Sequence, residues 1–163
     1  MTASPPEAAL GSLGIIHTQF LKLPRPLLLD CGRELPQVRI AYETYGRLSP
    51  ARDNVILVCH ALSGDAHAAG YSAAPNAGST RDGFRAEERD TEQGRGLGWW
   101  DGMIGQGKAF DTDRFFIISP NLLGGCRGTT GPSSRNPVTG RPYGSDFPVI
   151  TVADMVKAQR ALL

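Results

Sequence analysis

The stretch Asn54–His67, NVILVCHALSGDAH, decides how the rest of the chain reads. Four successive apolar residues, Val55, Ile56, Leu57 and Val58, run into a small turning segment, His60-Ala61-Leu62-Ser63-Gly64. A short continuous apolar run before a turn signal fits a strand buried on both faces, as in a sheet covered by helices. Val55 to Cys59 is expected to be such a strand, with Cys59 a small inert core residue. Ligands of open α/β sheets collect beyond the carboxyl ends of the strands, which makes the segment from His60 a candidate site.

Working outward, PLLLDCG (26–32) gives a short apolar run and a polar turn. QVRIAYETYG (37–46) alternates, placing Val38, Ile40 and Tyr42 on one face and Arg39 and Glu43 on the other. That pattern predicts a half-buried strand closed by Gly46. LSPARDN (48–54) is a turn. Downstream, RFFIISPNLLGG (114–125) predicts a second buried strand, Phe115 to Ser119, again ending in a glycine-rich segment. TVADMVKAQRALL (151–163) predicts a helix. Thr151 and Asp154 make a variant capping box, and Val152, Met155, Val156, Leu162 and Leu163 form its apolar face. No stop signal follows that helix, so the natural chain is expected to continue.

Residues 1–24 read as a flexible tail and lead-in, and residues 25–163 as one incomplete α/β domain. Residues 71–97 are poor in apolar side chains and rich in Gly, Ser and charge, and read as a loop insertion, functional or not. The 163 residues suit a single domain. A net charge of +1 supplies no general field for nucleic acid or anionic lipid. No apolar run approaches the roughly 20 residues that span a bilayer. The N-terminus lacks a basic region followed by an apolar one, so the expected compartment is the cytoplasm. Cys31, Cys59 and Cys126 are too few and scattered for a disulfide framework, and with no CxxC no metal site is expected.

The residues offer three candidate chemistries. The first is nucleotide binding. GMIGQGKA (102–109) matches GxxxxGK, but Ala109 replaces the magnesium-binding hydroxyl and no buried strand precedes it. GCRGTTG (125–131) lacks the GxGxxG order of a dinucleotide fold. The second is a cysteine nucleophile, but Cys126, beside Arg127, has no base in the sequence to activate it. The third candidate is acyl transfer. In α/β-hydrolases the loop after the third strand gives one backbone N–H to the oxyanion hole. HALSG follows what counts as the third strand, so the Leu62 amide is the candidate donor, needing only a backbone free to turn. The alternative is an ordinary βα turn with a satisfied histidine, and this loop alone does not decide between them.

Several segments together do decide. VRIAYETYG, VILVCHALSGDAH, GWWDGMIGQGKAFDTDR, and above all GGCRGTTGPSS and YGSDFP, closely resemble the N-terminal part of the homoserine O-acetyltransferases, from about residue 25 onward. The resemblance implies an α/β-hydrolase fold, here the N-terminal half of a mixed, mostly parallel sheet with flanking helices. It implies acyl transfer from acetyl-CoA, as co-substrate, to the hydroxyl of L-homoserine in methionine biosynthesis, through a serine acyl-enzyme and a ping-pong mechanism, with no permanently bound cofactor. It also implies a homodimer at full length. Carried over residue by residue, Leu62 matches the backbone oxyanion donor, and Ser63, Gly64 and Asp65 match the floor of the homoserine pocket. His60, Asn121 and Arg127 would tie loops together, and Trp99 and Trp100 would pack. No Gly-x-Ser-x-Gly elbow occurs in these residues, and neither Ser63 nor Ser145 fits one. The chain alone is therefore expected to be inactive. The alternatives are O-succinyl transfer to homoserine or serine on the same fold, and a non-catalytic binding module.

Overall fold

The computed structural model describes residue 11 and residues 13–61, 63–73 and 96–163. In chain order its strands are β1 (Ile15–Ile16), β2 (Gln19–Lys22), β3 (Leu27–Leu28), β4 (Glu34–Leu35), β5 (Arg39–Tyr45), β6 (Val55–Leu57), β7 (Tyr71–Ser72) and β8 (Phe116–Pro120). A 3-10 turn at Gly144–Asp146 and the helix α1 (Val152–Arg160) follow. The chain divides into two compact units. The first holds Met1–His17, Thr44–Leu57 and His67–Ile118, and the second Thr18–Glu43, Val58–Ala66 and Ser119–Leu163. The residues of β5 and of β8 are shared between the two units.

In the first unit β6 and β8 are parallel, with Val55 opposite Phe116, Ile56 opposite Ile117 and Leu57 opposite Ile118. Parallel pairing of strands this far apart in sequence is the mark of an α/β crossover. The strand β6 differs from expectation. It is three residues long, and among the described residues its strand partner is β8. Val55 and Leu57 are 41% and 37% exposed, and Cys59 beyond them is also exposed. The alternation puts Ile56, Val58 and His60 inward, so one face is buried and not two. Cys59 is on the open face and is not a core residue.

Around these strands, the Ala68 and Ala69 amides donate to the Tyr45 phenol oxygen at 2.9 and 3.2 Å. A Cβ at Gly98 would stand 2.2 Å from the Ala69 nitrogen, so only glycine lets the two backbones meet. Trp99 and Trp100 stack at 5.5 Å, and Trp100 packs on Phe110 at 5.2 Å, the packing role expected of them. In the GxxxxGK-like segment the Lys108 ammonium binds the Asp101 carbonyl at 2.6 Å and its carboxylate at 3.1 Å. That lysine is engaged within its own turn. Of the expected 71–97 insertion, residues 74–95 lie outside the described residues.

In the second unit β2 and β5 are antiparallel, with Lys22 opposite Arg39 and Gln19 opposite Tyr42. Strand structure thus begins before Leu27, where the sequence pattern turns β-like. The pattern of β5 also differs. From Ile40 on, both faces are covered, and Glu43 is 1% exposed where the alternation places an outward residue. The Thr18 hydroxyl donates to its carboxylate at 2.8 Å, giving the buried charge a partner. Val38, Ile40, Leu35, Leu123 and Ala158 build the core of this unit, at roughly 1.5–3 kcal/mol for each large aliphatic fully buried.

The helix α1 docks on that core through a face shifted from the expected one. Asp154, Ala158 and Gln159 are buried, with Met155 and Leu162 partly so. Val152, Val156 and Leu163 are 74%, 54% and 67% exposed. The cap explains the rotation. Thr151 and Asp154 form the capping box, and the second Asp154 oxygen accepts the Asp30 amide at 3.0 Å. Lys157 pairs with both Asp30 and Asp154. This polar cluster fixes which stripe of the helix faces inward.

Candidate functional site

The second unit brings the segment after β6 against the segment after β8. Val58 and His60 are buried, and the His60 ring is held at both nitrogens. Its Nδ1 lies 2.6 Å from the Ala61 carbonyl oxygen. Its Nε2 lies 2.9 Å from Asn121 Oδ1 and 3.1 Å from the Leu122 amide nitrogen. Asn121 is the first residue beyond β8 and is 2% exposed. Its backbone N–H donates to Ala41 O at 2.8 Å, and its side-chain amide donates to Arg127 O at 2.7 Å. One residue therefore fastens β5, the His60 segment and the glycine-rich turn.

The turn is braced a second time by threonines. The Thr129 hydroxyl accepts the Ala41 amide at 2.9 Å and donates to Asn121 O at 3.0 Å. The Thr130 hydroxyl accepts the Arg39 amide at 2.8 Å. Both hydroxyls stand where a neighbouring strand would otherwise satisfy β5, which meets the demand that buried backbone donors be paired. Sequence reasoning misses these two. The signal is present in GTTG: two adjacent hydroxyls between glycines, in a turn that cannot itself form a ladder.

Ser63 is exposed, Gly64 and Asp65 are half-buried, and Leu62 lies outside the described residues. The Gly64 amide donates to Ala61 O at 2.8 Å, closing a tight turn. A Cβ on Gly64 would come within 2.8 Å of His60 Cβ and 3.1 Å of the ring. Glycine is required there by close approach. Asp65 forms an ion pair with Arg127, Nε to Oδ2 at 3.3 Å. So Ser63, Gly64 and Asp65 share one loop, and Asp65 is tied to the same turn as Asn121. His60, Asn121 and Arg127 tie loops together, as the resemblance implies.

What this arrangement can do is hold a short, tightly turned backbone at a strand end without spending a catalytic side chain on it. Among the described residues no three His, Cys, Asp or Glu side chains come together in a way that could hold a metal ion. No helix of the described residues is long and apolar enough to cross a membrane.

No family model matches the chain. Individual relatives do. The chain is 54% identical over 153 residues to a homoserine O-acetyltransferase of Methanosphaerula palustris, covering 94% of this chain and 27% of that protein. It is 49% identical over 158 residues to a homoserine O-succinyltransferase of Stutzerimonas stutzeri, covering 97% and 37%. Among solved structures it matches the homoserine O-acetyltransferase of Bacillus anthracis with a TM-score of 0.73 at 36% identity, over 92% of this chain and 36% of that one. It matches an esterase with a TM-score of 0.71 at 38% identity, over 91% and 37%. These neighbours have the α/β-hydrolase fold, and the present chain is a partial domain of it. The chain spans about a third of the length of the relatives it matches. Over that span its sequence relatives are homoserine O-acetyl- and O-succinyltransferases, and its fold is that of the α/β-hydrolases.

Proposed function

We propose that these residues are the N-terminal, oxyanion-loop portion of an enzyme that transfers an acetyl group from acetyl-CoA to the hydroxyl of L-homoserine. The observation that carries the reading is the 54% identity to a homoserine O-acetyltransferase over nearly the whole chain. The contact of His60 with Asn121 at 2.9 Å supports it, because an oxyanion donor must be fixed before charge develops. In this reading Leu62 donates its backbone N–H to the tetrahedral intermediate. Ser63, Gly64 and Asp65 border the homoserine pocket. The nucleophilic serine, with its His and Asp, lies outside these 163 residues, which contain no Gly-x-Ser-x-Gly. Acetyl transfer to that serine releases CoA, and attack by the homoserine hydroxyl releases O-acetylhomoserine. The setting is methionine biosynthesis in the cytoplasm, in a homodimer.

A second reading rests on the 49% identity to a homoserine O-succinyltransferase, which leaves the acyl donor to residues of the pocket. One experiment separates the readings. The segment of the Methanosphaerula palustris relative that matches these residues is replaced by them, and CoA release is followed with acetyl-CoA and succinyl-CoA, with and without homoserine. The expected result is homoserine-dependent release that prefers acetyl-CoA. Preference for succinyl-CoA would replace the donor. A folded chimera that transfers no acyl group to homoserine would overturn the function. The 163-residue chain alone is expected to release no CoA above background.

A further inference from the structure

The second unit carries a concave feature that the acyl-transfer reading does not use. A cleft of about 550 Å³ is lined by Lys22, Arg39 and Arg135 together with Gln37, Ser133 and Ser134, over a floor that includes Val38 and Thr130. No carboxylate lines it. Among the described residues none of the three cations forms an ion pair. Lys22 and Arg39 are direct partners across β2 and β5, a placement of like charges that destabilises a sheet unless something lies between them. Arg39 is held in position, its Nε donating to Gly128 O at 3.2 Å and its guanidinium lying 4.6 Å above the Phe20 ring. Arg135 is likewise held, its Nε donating to Gly140 O at 2.8 Å. Each arginine commits Nε to the protein, and among the described residues no hydrogen bond takes up their terminal nitrogens.

We propose that this cleft is an anion site that binds phosphate groups, and that its occupant is the phosphate-bearing nucleotide end of the acyl-CoA donor. Three positive charges with two serine hydroxyls exceed what one carboxylate would need, and arginine forks match phosphate oxygens. The volume is that of a ligand site and is much larger than a free phosphate, so the phosphate is carried on a larger molecule. The Ser134 oxygen accepts the Gly131 amide at 3.0 Å, a bond that does not use its own O–H. The anion site stands on the geometry alone, whereas naming the occupant rests on the acyl-transfer reading above.

Cys126 lines the same cleft and is exposed, so it reports occupancy. The 163-residue chain is alkylated with iodoacetamide, and each cysteine is quantified by peptide mass spectrometry. Inorganic pyrophosphate, coenzyme A and dephospho-coenzyme A are the probes, with chloride at equal ionic strength as control. Pyrophosphate is expected to slow alkylation of Cys126 and leave Cys31 and Cys59 unchanged. Arg135→Ala and Lys22→Ala, both at exposed positions, are each expected to weaken that protection about tenfold. Coenzyme A is expected to protect more strongly than its dephospho form. No protection by any probe, equal protection by chloride, or protection unchanged in both variants would overturn the anion site. Protection by pyrophosphate with none by coenzyme A would keep the site and overturn its assignment to the donor.

Discussion

His60 Nε2 and Asn121 Oδ1 lie 2.9 Å apart, both nearly inaccessible to solvent, and join the segment after β6 to the segment after β8. Removing either partner strands polar atoms of the other in a dry setting, at roughly 1–3 kcal/mol. His60→Ala and Asn121→Ala are each expected to lower stability by about that much, measured by urea unfolding. The double variant should lose less than the sum, by about 0.5–3 kcal/mol of coupling. Strict additivity would show that the two side chains do not act on each other.

Gly64 is the position where added volume should disturb the brace without removing any polar group. A methyl added there would meet His60 Cβ at 2.8 Å, whereas one at Gly102 meets nothing within 4 Å. Gly64→Ala is expected to cost about 1–3 kcal/mol by forcing the ring aside. Gly102→Ala should stay within about 0.5 kcal/mol of the parent. The His60 ring resonances in NMR should move in the first variant and hold in the second. Equal stability of the two variants would remove the close-approach argument.

Tyr143 sits in the core of the second unit, 6% exposed and edge-on to Phe147 at 5.4 Å. Among the described residues its hydroxyl has no partner, and burial pushes the phenol above its ordinary pKa. An unpaired buried hydroxyl is a net cost. Tyr143→Phe, which keeps the ring contact and deletes that hydroxyl, is expected to be neutral or stabilising by about 1 kcal/mol. A loss of more than about 1 kcal/mol in thermal unfolding would mean that the hydroxyl has a partner.

The open face of β6 makes a chemical prediction. Cys31, Cys59 and Cys126 are all exposed, and they are all the cysteines of the chain. Native protein should therefore react with three equivalents of a thiol reagent, without denaturant. A native titre one short of the titre on unfolding would restore the buried Cys59 that the sequence suggests.

What the sequence makes legible is mostly local. Thr151 and Asp154 are three residues apart, and their reciprocal bonds need no other part of the chain, so the cap can be read directly. The run Phe116–Pro120 is apolar on both sides and becomes a buried strand for that reason. The failures involve distant partners. Glu43 is buried because Thr18 reaches it from 25 positions away. Val152 and Val156 make a plausible apolar stripe, yet Asp30, 124 positions from Asp154, selects a different face. The loop brace is legible as residue types in GGCRGTTG, but the Asp65–Arg127 and His60–Asn121 pairings depend on two strand ends meeting in space.

The cap also sets how the chain should respond to acid. Burial pushes the Asp154 carboxyl upward, but the Thr151 amide, the Lys157 ammonium and the Asp30 amide donate to it, and the balance holds it at about 2. Its ordinary value is 3.8, so the folded state binds this proton less readily than the unfolded chain. The stabilisation is present above 3.8 and is lost as pH falls through about 2. Asp30 is also lowered, by hydrogen bonds from Lys157 and Thr151, so its contribution acts in the same direction. Lys157 is raised, by Asp30 first and Asp154 second, so its share is lost only as pH rises past its ordinary 10.5. Melting temperature should therefore fall on acidification below pH 3.8, and Asp154→Asn should flatten that fall while lowering stability at neutral pH. Thr151→Ala tests the cap apart from charge and should cost about 1 kcal/mol at neutral pH. An Asp154→Asn variant that keeps the full acid slope would place the responsible carboxylates elsewhere, and α1 would not be the element that acid releases.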